Sequence, residues 1–301
     1  MEINKITEFN SHAGGVYGLS LAKEQNVFFS GSSDRFLTKW NLDTLANAEF
    51  SAQLPAFIYA VCYIPNKELL LAGTFKGAIH IIDLNQKKEI KILQQHNAAI
   101  FDICYSSTTN LIFCSAGDGS ISIIKASDLS VVKIISLCNE KVRKLSLNAE
   151  QTLLCIACGD GKIRILNTST LNIVNEFSAH TESANCAVFH PNKELILTGG
   201  KDAHLRIWNA TSFKLEKEIA AHNWAIYDIV FSPDNKYFAT ASRDKTIKIW
   251  DAESFELLYR INKEKNEGHT HSVNKLLWLN YNDYLVSAGD DRKINVWKIQ
   301  V

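Results

Sequence analysis

Short apolar runs separated by turn residues cover the whole chain. Ile226-Tyr227-Asp228-Ile229-Val230-Phe231 leads into the turn Ser232-Pro233-Asp234-Asn235-Lys236. Tyr237-Phe238-Ala239-Thr240-Ala241-Ser242 follows, then a tight turn at Arg243-Asp244-Lys245. Thr246-Ile247-Lys248-Ile249-Trp250 and Glu256-Leu257-Leu258-Tyr259-Arg260-Ile261 complete the set. β-branched and aromatic enrichment at this turn spacing predicts four short strands. Pro65, Pro191 and Pro233 occupy the same turn in three such sets. Proline presets φ and cannot donate to a ladder, so a recurring turn is where it fits.

The set recurs. Trp40, Ile82, Ile124, Leu166, Trp208 and Trp250 are each 42 residues apart, and the last step, to Trp297, is 47. Around the tryptophans a polar frame repeats as His12/Ser30/Asp34/Trp40, His180/Thr198/Asp202/Trp208, His222/Thr240/Asp244/Trp250 and His269/Ser287/Asp291/Trp297. A period of 40–45 residues ending in a Trp-Asp-like pair is the mark of a propeller blade. The expectation is all-β: one domain, residues 1–301, forming a single closed seven-bladed β-propeller of four-stranded antiparallel blades. Only four residues follow Trp297, too few for a fourth strand, whereas the segment from Ile3 to His12 aligns with the one from Asn172 to His180. Residues 3–9 are therefore expected to complete the last blade and hide its edge. The five extra residues of the last step fall near Asn262-Lys263-Glu264-Lys265-Asn266, read as a charged, flexible insert.

Charge narrows the partner class. Lys+Arg and Asp+Glu are both 32, so no basic excess points to nucleic acid or an anionic membrane. The first residues lack a signal-peptide pattern, and no apolar run approaches the roughly 18 residues of a membrane span. Cys62, Cys104, Cys114, Cys155, Cys158 and Cys186 sit inside apolar runs and read as small buried hydrophobes in a reducing, cytoplasmic setting.

The repeat frame resembles the WD-repeat (WD40) β-propeller family along the whole sequence. That resemblance implies that each His, Ser/Thr, Asp and Trp set forms a buried hydrogen-bond chain. The chemistry agrees, since a buried indole N–H and imidazole need a hydroxyl and a carboxylate. A catalytic-triad reading of Ser, His and Asp is disfavoured because the grouping recurs four times in register with a tryptophan. The second to fourth repeats depart from the frame. Ile82, Ile124 and Leu166 replace Trp; Ala72, Cys114 and Ile156 replace Ser/Thr; Lys76 replaces one Asp; Leu54 and Cys138 replace two His. Joint apolar replacement leaves nothing unpaired, so these blades are expected to be held by packing.

The resemblance also implies a docking face at three positions per blade: three and five residues after the loop His, and the one before the turn Asp. Carried over, these give aromatics at Tyr17, Phe57, Tyr59, Phe75, Phe101 and Tyr227, and cations at Lys141, Arg143, Lys201 and Arg243. Aromatics beside cations are the composition of an interaction hot spot. The expected partner is a protein or peptide, acidic and apolar, bound by a non-catalytic scaffold or adaptor that is a monomeric ring or a subunit of a larger complex. One alternative is a reader of methylated lysine or arginine, for which Asp290 and Asp228 offer the acid. The other is a hydrolase-like propeller enzyme with a site in its channel, for which Asp102 and Asp228 are the nearest acids. No catalytic residue, cofactor or metal is expected. Cys155-Ile156-Ala157-Cys158 has C-x-x-C spacing, but residues three apart on a strand face opposite ways.

Overall fold

The computed structural model describes residues 2–300, the side chains of Asn47, Ala48 and Glu49 excepted; Met1 and Val301, the ends of the expected domain, lie outside the described residues. Among the described residues, strands assemble into seven four-stranded antiparallel blades. Blade 1 runs Val16–Leu21, Val27–Ser32, Phe36–Asn41 and Ala46–Gln53. Blade 4 runs Val142–Leu147, Leu153–Cys158, Lys162–Asn167 and Asn172–Ser178, and blade 5 begins with Ala184–Phe189. Blade 7 takes Val273–Trp278, Tyr284–Gly289 and Ile294–Gln300 from the end of the chain and Glu2–Phe9 from its beginning.

The chain divides into two compact units. One holds Met1–Phe75, His80–Ile92 and Val230–Val301, and with them blades 1 and 7 and most of blades 2 and 6. The other holds Lys76–Ile79 and Leu93–Ile229, and with them blades 3, 4 and 5.

Burial follows strand order within a blade. Second strands such as Val27–Ser32 and Leu195–Gly200 are buried at every position, whereas fourth strands such as Leu215–Ala220 are largely exposed. Second strands therefore read as continuous apolar runs, which is what burial on both faces requires. The core lies between blades. In the first unit Phe28, Trp40 and Leu42 of blade 1 pack with Val286, Ile294 and Val296 of blade 7. In the second, Cys155, Ile163 and Ile165 of blade 4 pack with Ala187, Ile196 and Trp208 of blade 5.

Glu2–Phe9 pairs antiparallel with Ile294–Gln300, from Glu2 opposite Gln300 to Phe9 opposite Ile294. Phe9 then enters the core beside Trp40, with ring centroids 4.6 Å apart. Lys293 and Lys5 both reach Glu8, at 2.6 and 2.5 Å. Burial would raise the Glu8 carboxyl, but these two ammonium groups outweigh it and hold the group at about 2.

The insert before blade 7 differs from its expected flexible form. Lys263–Asn266 closes a short helical turn with a side-chain cap, Lys265 N donating to the Asn262 side chain at 2.9 Å.

Candidate functional site

The sets at His12, His180 and His269 share one geometry. His12 places Nδ1 2.8 Å from Asp34 and Nε2 2.7 Å from the Ser30 hydroxyl, which accepts from the Trp40 indole at 2.7 Å. His180 lies 2.9 Å from both Asp202 and Thr198, and Trp208 donates to Thr198 at 3.0 Å. His269 lies 2.9 Å from both Asp291 and Ser287, and Trp297 donates to Ser287 at 2.8 Å. In the fourth set Trp250 donates to Thr240 at 2.9 Å, while Asp244 accepts from Thr246 N in its turn. The Ser30 hydroxyl is fully buried and already engaged by an indole and an imidazole, a poor arrangement for a nucleophile. Burial would raise Asp34, but the hydrogen bonds from His12 and from Phe36 N outweigh it and bring the group to about 2.

The middle blades are not purely apolar. Blade 2 sets His80 3.0 Å from Glu89. Blade 4 forks Arg164 onto Asp160 at 3.1 and 2.7 Å and sets its Nε 2.7 Å from Glu176. His80 and Arg164 stand two residues before the Trp position, from where a third-strand side chain meets an acid of the neighbouring fourth strand, Glu89 or Glu176. In blade 3, His96 keeps its aspartate, yet its buried Nε2 has no hydrogen-bond partner among the described residues.

The docking positions have a backbone cause. The first strand skips one residue in its pairing with the second at Tyr17, Tyr59, Phe101, Arg143, Asn185 and Asn274. These six are the residues five after the loop position. A bulge frees its residue from the ladder and re-aims the side chain. The other two positions are tied to each other: Ser33 N donates to Gly15 O, Phe75 N to Phe57 O, Gly117 N to Ala99 O, Gly159 N to Lys141 O, Lys201 N to Ser183 O, and Asp290 N to Ser272 O.

In the first unit this backbone brings four rings together. Tyr17 and Tyr59 stand 4.8 Å apart, Tyr59 and Phe75 6.1 Å, Phe75 and Phe57 6.2 Å. Phe57 and Phe75 remain 45% and 54% exposed. Asp290 borders the row. A Cβ on Gly15 would sit 3.0 Å from the Tyr17 hydroxyl and 3.2 Å from the Asp290 carboxylate. Asn274 donates to that carboxylate at 2.8 Å and to Val16 O at 3.2 Å. In the second unit Arg143 lies 4.9 Å and Lys141 5.8 Å from the centre of the Phe101 ring. Lys201 instead pairs with Glu182 at 3.2 Å on an open surface. Tyr227 is half-buried at the start of its strand, Arg243 is exposed in its turn, and Trp224 is 57% exposed in the preceding loop.

The acids of the channel-enzyme reading are engaged elsewhere. Asp102 accepts from Leu145 N at 3.0 Å in a buried site, and Asp228 accepts from Lys144 at 2.8 Å. Among the described residues, one group of possible metal ligands is close-set: Cys138, Cys158 and Asp160. The cysteine pair sits on frame positions, the loop residue and the one 20 later, which also meet at His180/Gly200 and His269/Gly289, but the apolar reading of blade 4 passed over it.

Residues 3–41, 213–251 and 262–298 match the WD domain, G-beta repeat family, and residues 103–190 match the anaphase-promoting complex subunit 4 WD40 domain family. The chain belongs to the WD-repeat β-propellers. Its seven four-stranded blades, the last completed by the N-terminal strand, are the fold class the 42-residue period predicts. Propellers of this family are protein-interaction scaffolds in general and typically non-catalytic. No match is found among curated proteins. Among the described residues, no helix is long and apolar enough to cross a membrane.

Proposed function

We propose that this WD-repeat chain is a non-catalytic adaptor, one propeller over residues 1–301, that docks a protein or peptide on the bulged docking positions. The reading rests on the row Tyr17–Tyr59–Phe75–Phe57, whose last two rings are about half exposed beside one another. Scattered exposed apolar side chains are ordinary; adjoining aromatics held on bulges and tied loops form a pre-organised patch. In the first unit the row offers apolar anchorage; in the second, taken by itself, Lys141 and Arg143 on Phe101 offer charge suited to acidic groups. An acidic, apolar segment is the favoured partner. All seven cysteines are free, in keeping with a cytoplasmic setting.

Affinity capture from lysate with quantitative mass spectrometry tests the adaptor reading. Wild type is compared with Phe57→Ala/Phe75→Ala and with Lys141→Ala/Arg143→Ala, each first shown to melt like wild type. Prey lost from both variants supports the reading; prey recovered equally by both moves the interface elsewhere.

One observation favours a second reading. Asp290 beside Tyr17 places an acid at the end of an aromatic row, the composition that attracts a methylated lysine or an arginine. Binding of a trimethyl-lysine peptide that Asp290→Asn weakens, with no binding of acidic peptides, would select this reading over the first.

A further inference from the structure

Blade 4 carries a pair of thiols that the docking positions do not use. Cys138 stands where other repeats have the loop histidine, and Cys158 ends the second strand, Leu153–Cys158. The two Sγ atoms and a carboxylate oxygen of Asp160 all lie within 4.8 Å of one another. Cys158 is fully buried, whereas Cys138 is partly exposed. Arg164 forks onto Asp160 at 3.1 and 2.7 Å, so the carboxylate already has its cation. With its charge already paired, Asp160 is a poor ligand for a metal ion. Cys138 Sγ donates to Glu140 O at 3.1 Å, and its partial exposure makes it the sulfur a small oxidant can reach.

We propose that Cys138 and Cys158 form a reversible oxidation site, with Cys138 as nucleophile, Cys158 as resolving thiol and a hydroperoxide as oxidant. The Cys138 thiolate attacks the terminal peroxide oxygen, an S–O bond forms and the O–O bond breaks. The departing oxyanion takes a proton and leaves as water or an alcohol. Cys138 is now a sulfenic acid. The Cys158 sulfur attacks the Cys138 sulfur, the S–S bond forms, the S–O bond breaks, and hydroxide leaves with the Cys158 proton as water. The two thiols lose two electrons and the peroxide gains them. Cys155, on the same strand, takes no part: it is fully buried in the core between blades 4 and 5, and burial pushes its thiol up.

The test is peptide mapping of the full chain without reduction, after brief exposure to limiting hydrogen peroxide. Trypsin would release residues 134–141 with Cys138 and residues 145–162 with both Cys155 and Cys158. The expected product is one cross-linked pair, assigned to Cys158 by fragmentation and lost after treatment with dithiothreitol. Cys158→Ser should abolish the cross-link and leave a sulfenic acid at Cys138 that dimedone traps. Cys138→Ser should leave Cys158 as a thiol. The proposal is overturned if wild type forms no 138–158 cross-link, or if the cross-link runs to Cys155. It is equally overturned if reduced protein holds one zinc per chain that protects both thiols from alkylation.

Discussion

His96 sets its Nδ1 3.0 Å from Asp118, while its buried Nε2 has no hydrogen-bond partner among the described residues. Blades 1, 5 and 7 place a hydroxyl 18 residues after the histidine, at Ser30, Thr198 and Ser287, and each meets that nitrogen. Blade 3 has Cys114 there instead, and sulfur is a weak partner. Cys114→Ser should therefore stabilise the protein by about 1 kcal/mol, read as a higher urea midpoint at unchanged slope. An equal or lower midpoint would show that the buried nitrogen costs little.

Acid should unfold the protein through a small set of carboxylates. Asp34 and Glu8 are both held at about 2, below their ordinary 3.8 and 4.5. A carboxylate depressed in the folded state contributes stability above its unfolded pKa and loses it as pH falls toward the folded value. Burial depresses His180, so that site begins to cost stability as pH falls below 6.5. Urea midpoints should decline gently from pH 6.5 and steeply between about 4 and 2. Asp34→Asn should flatten the steep limb; an unchanged limb would remove Asp34 from the account.

Removing the first nine residues strips Ile294–Gln300 of its neighbour and takes Phe9 from beside Trp40. Aggregation or a large fall in melting temperature is expected, because an unpaired edge recruits other chains. Phe9→Ala alone should cost about 3–5 kcal/mol through the cavity it leaves. A truncated chain as stable as the full one would show that blade 7 does not depend on its fourth strand.

Gly119 adopts φ +82°, and a Cβ there would lie 1.9 Å from the carbonyl oxygen of Cys138. Gly119→Ala should lower the melting temperature far more than a surface substitution, with the loop around Cys138 displaced. Hydrogen exchange at residues 137–141 would report the displacement.

The repeat count, the strand order and the closing role of the N-terminal strand were legible because each depends on local pattern. Tyr17, Tyr59 and Phe101 could be picked from the frame for the same reason, as a bulge recurs at one place in the repeat. Lys201 could not be told from them, since its pairing with Glu182 is a matter of loop path. Asp228 looked available for chemistry until Lys144, 84 residues away, was seen to hold it. Cys158 read as an inert core thiol because its partner, Cys138, comes from another strand's loop.

The sequence by itself determined seven blades and, in the sixth, its four strands to within a residue, since hydrophobic period and turn chemistry act over a few residues and repeat every 42. Only the tertiary structure decided which polar groups find partners: His96 Nε2 left over, Asp102 held by Leu145 N, Arg164 shared between Asp160 and Glu176. Where the repeat frame is broken, hydrogen bonds and thiol pairs depend on ångström-scale distances between separate chain segments, and no local pattern encodes those distances.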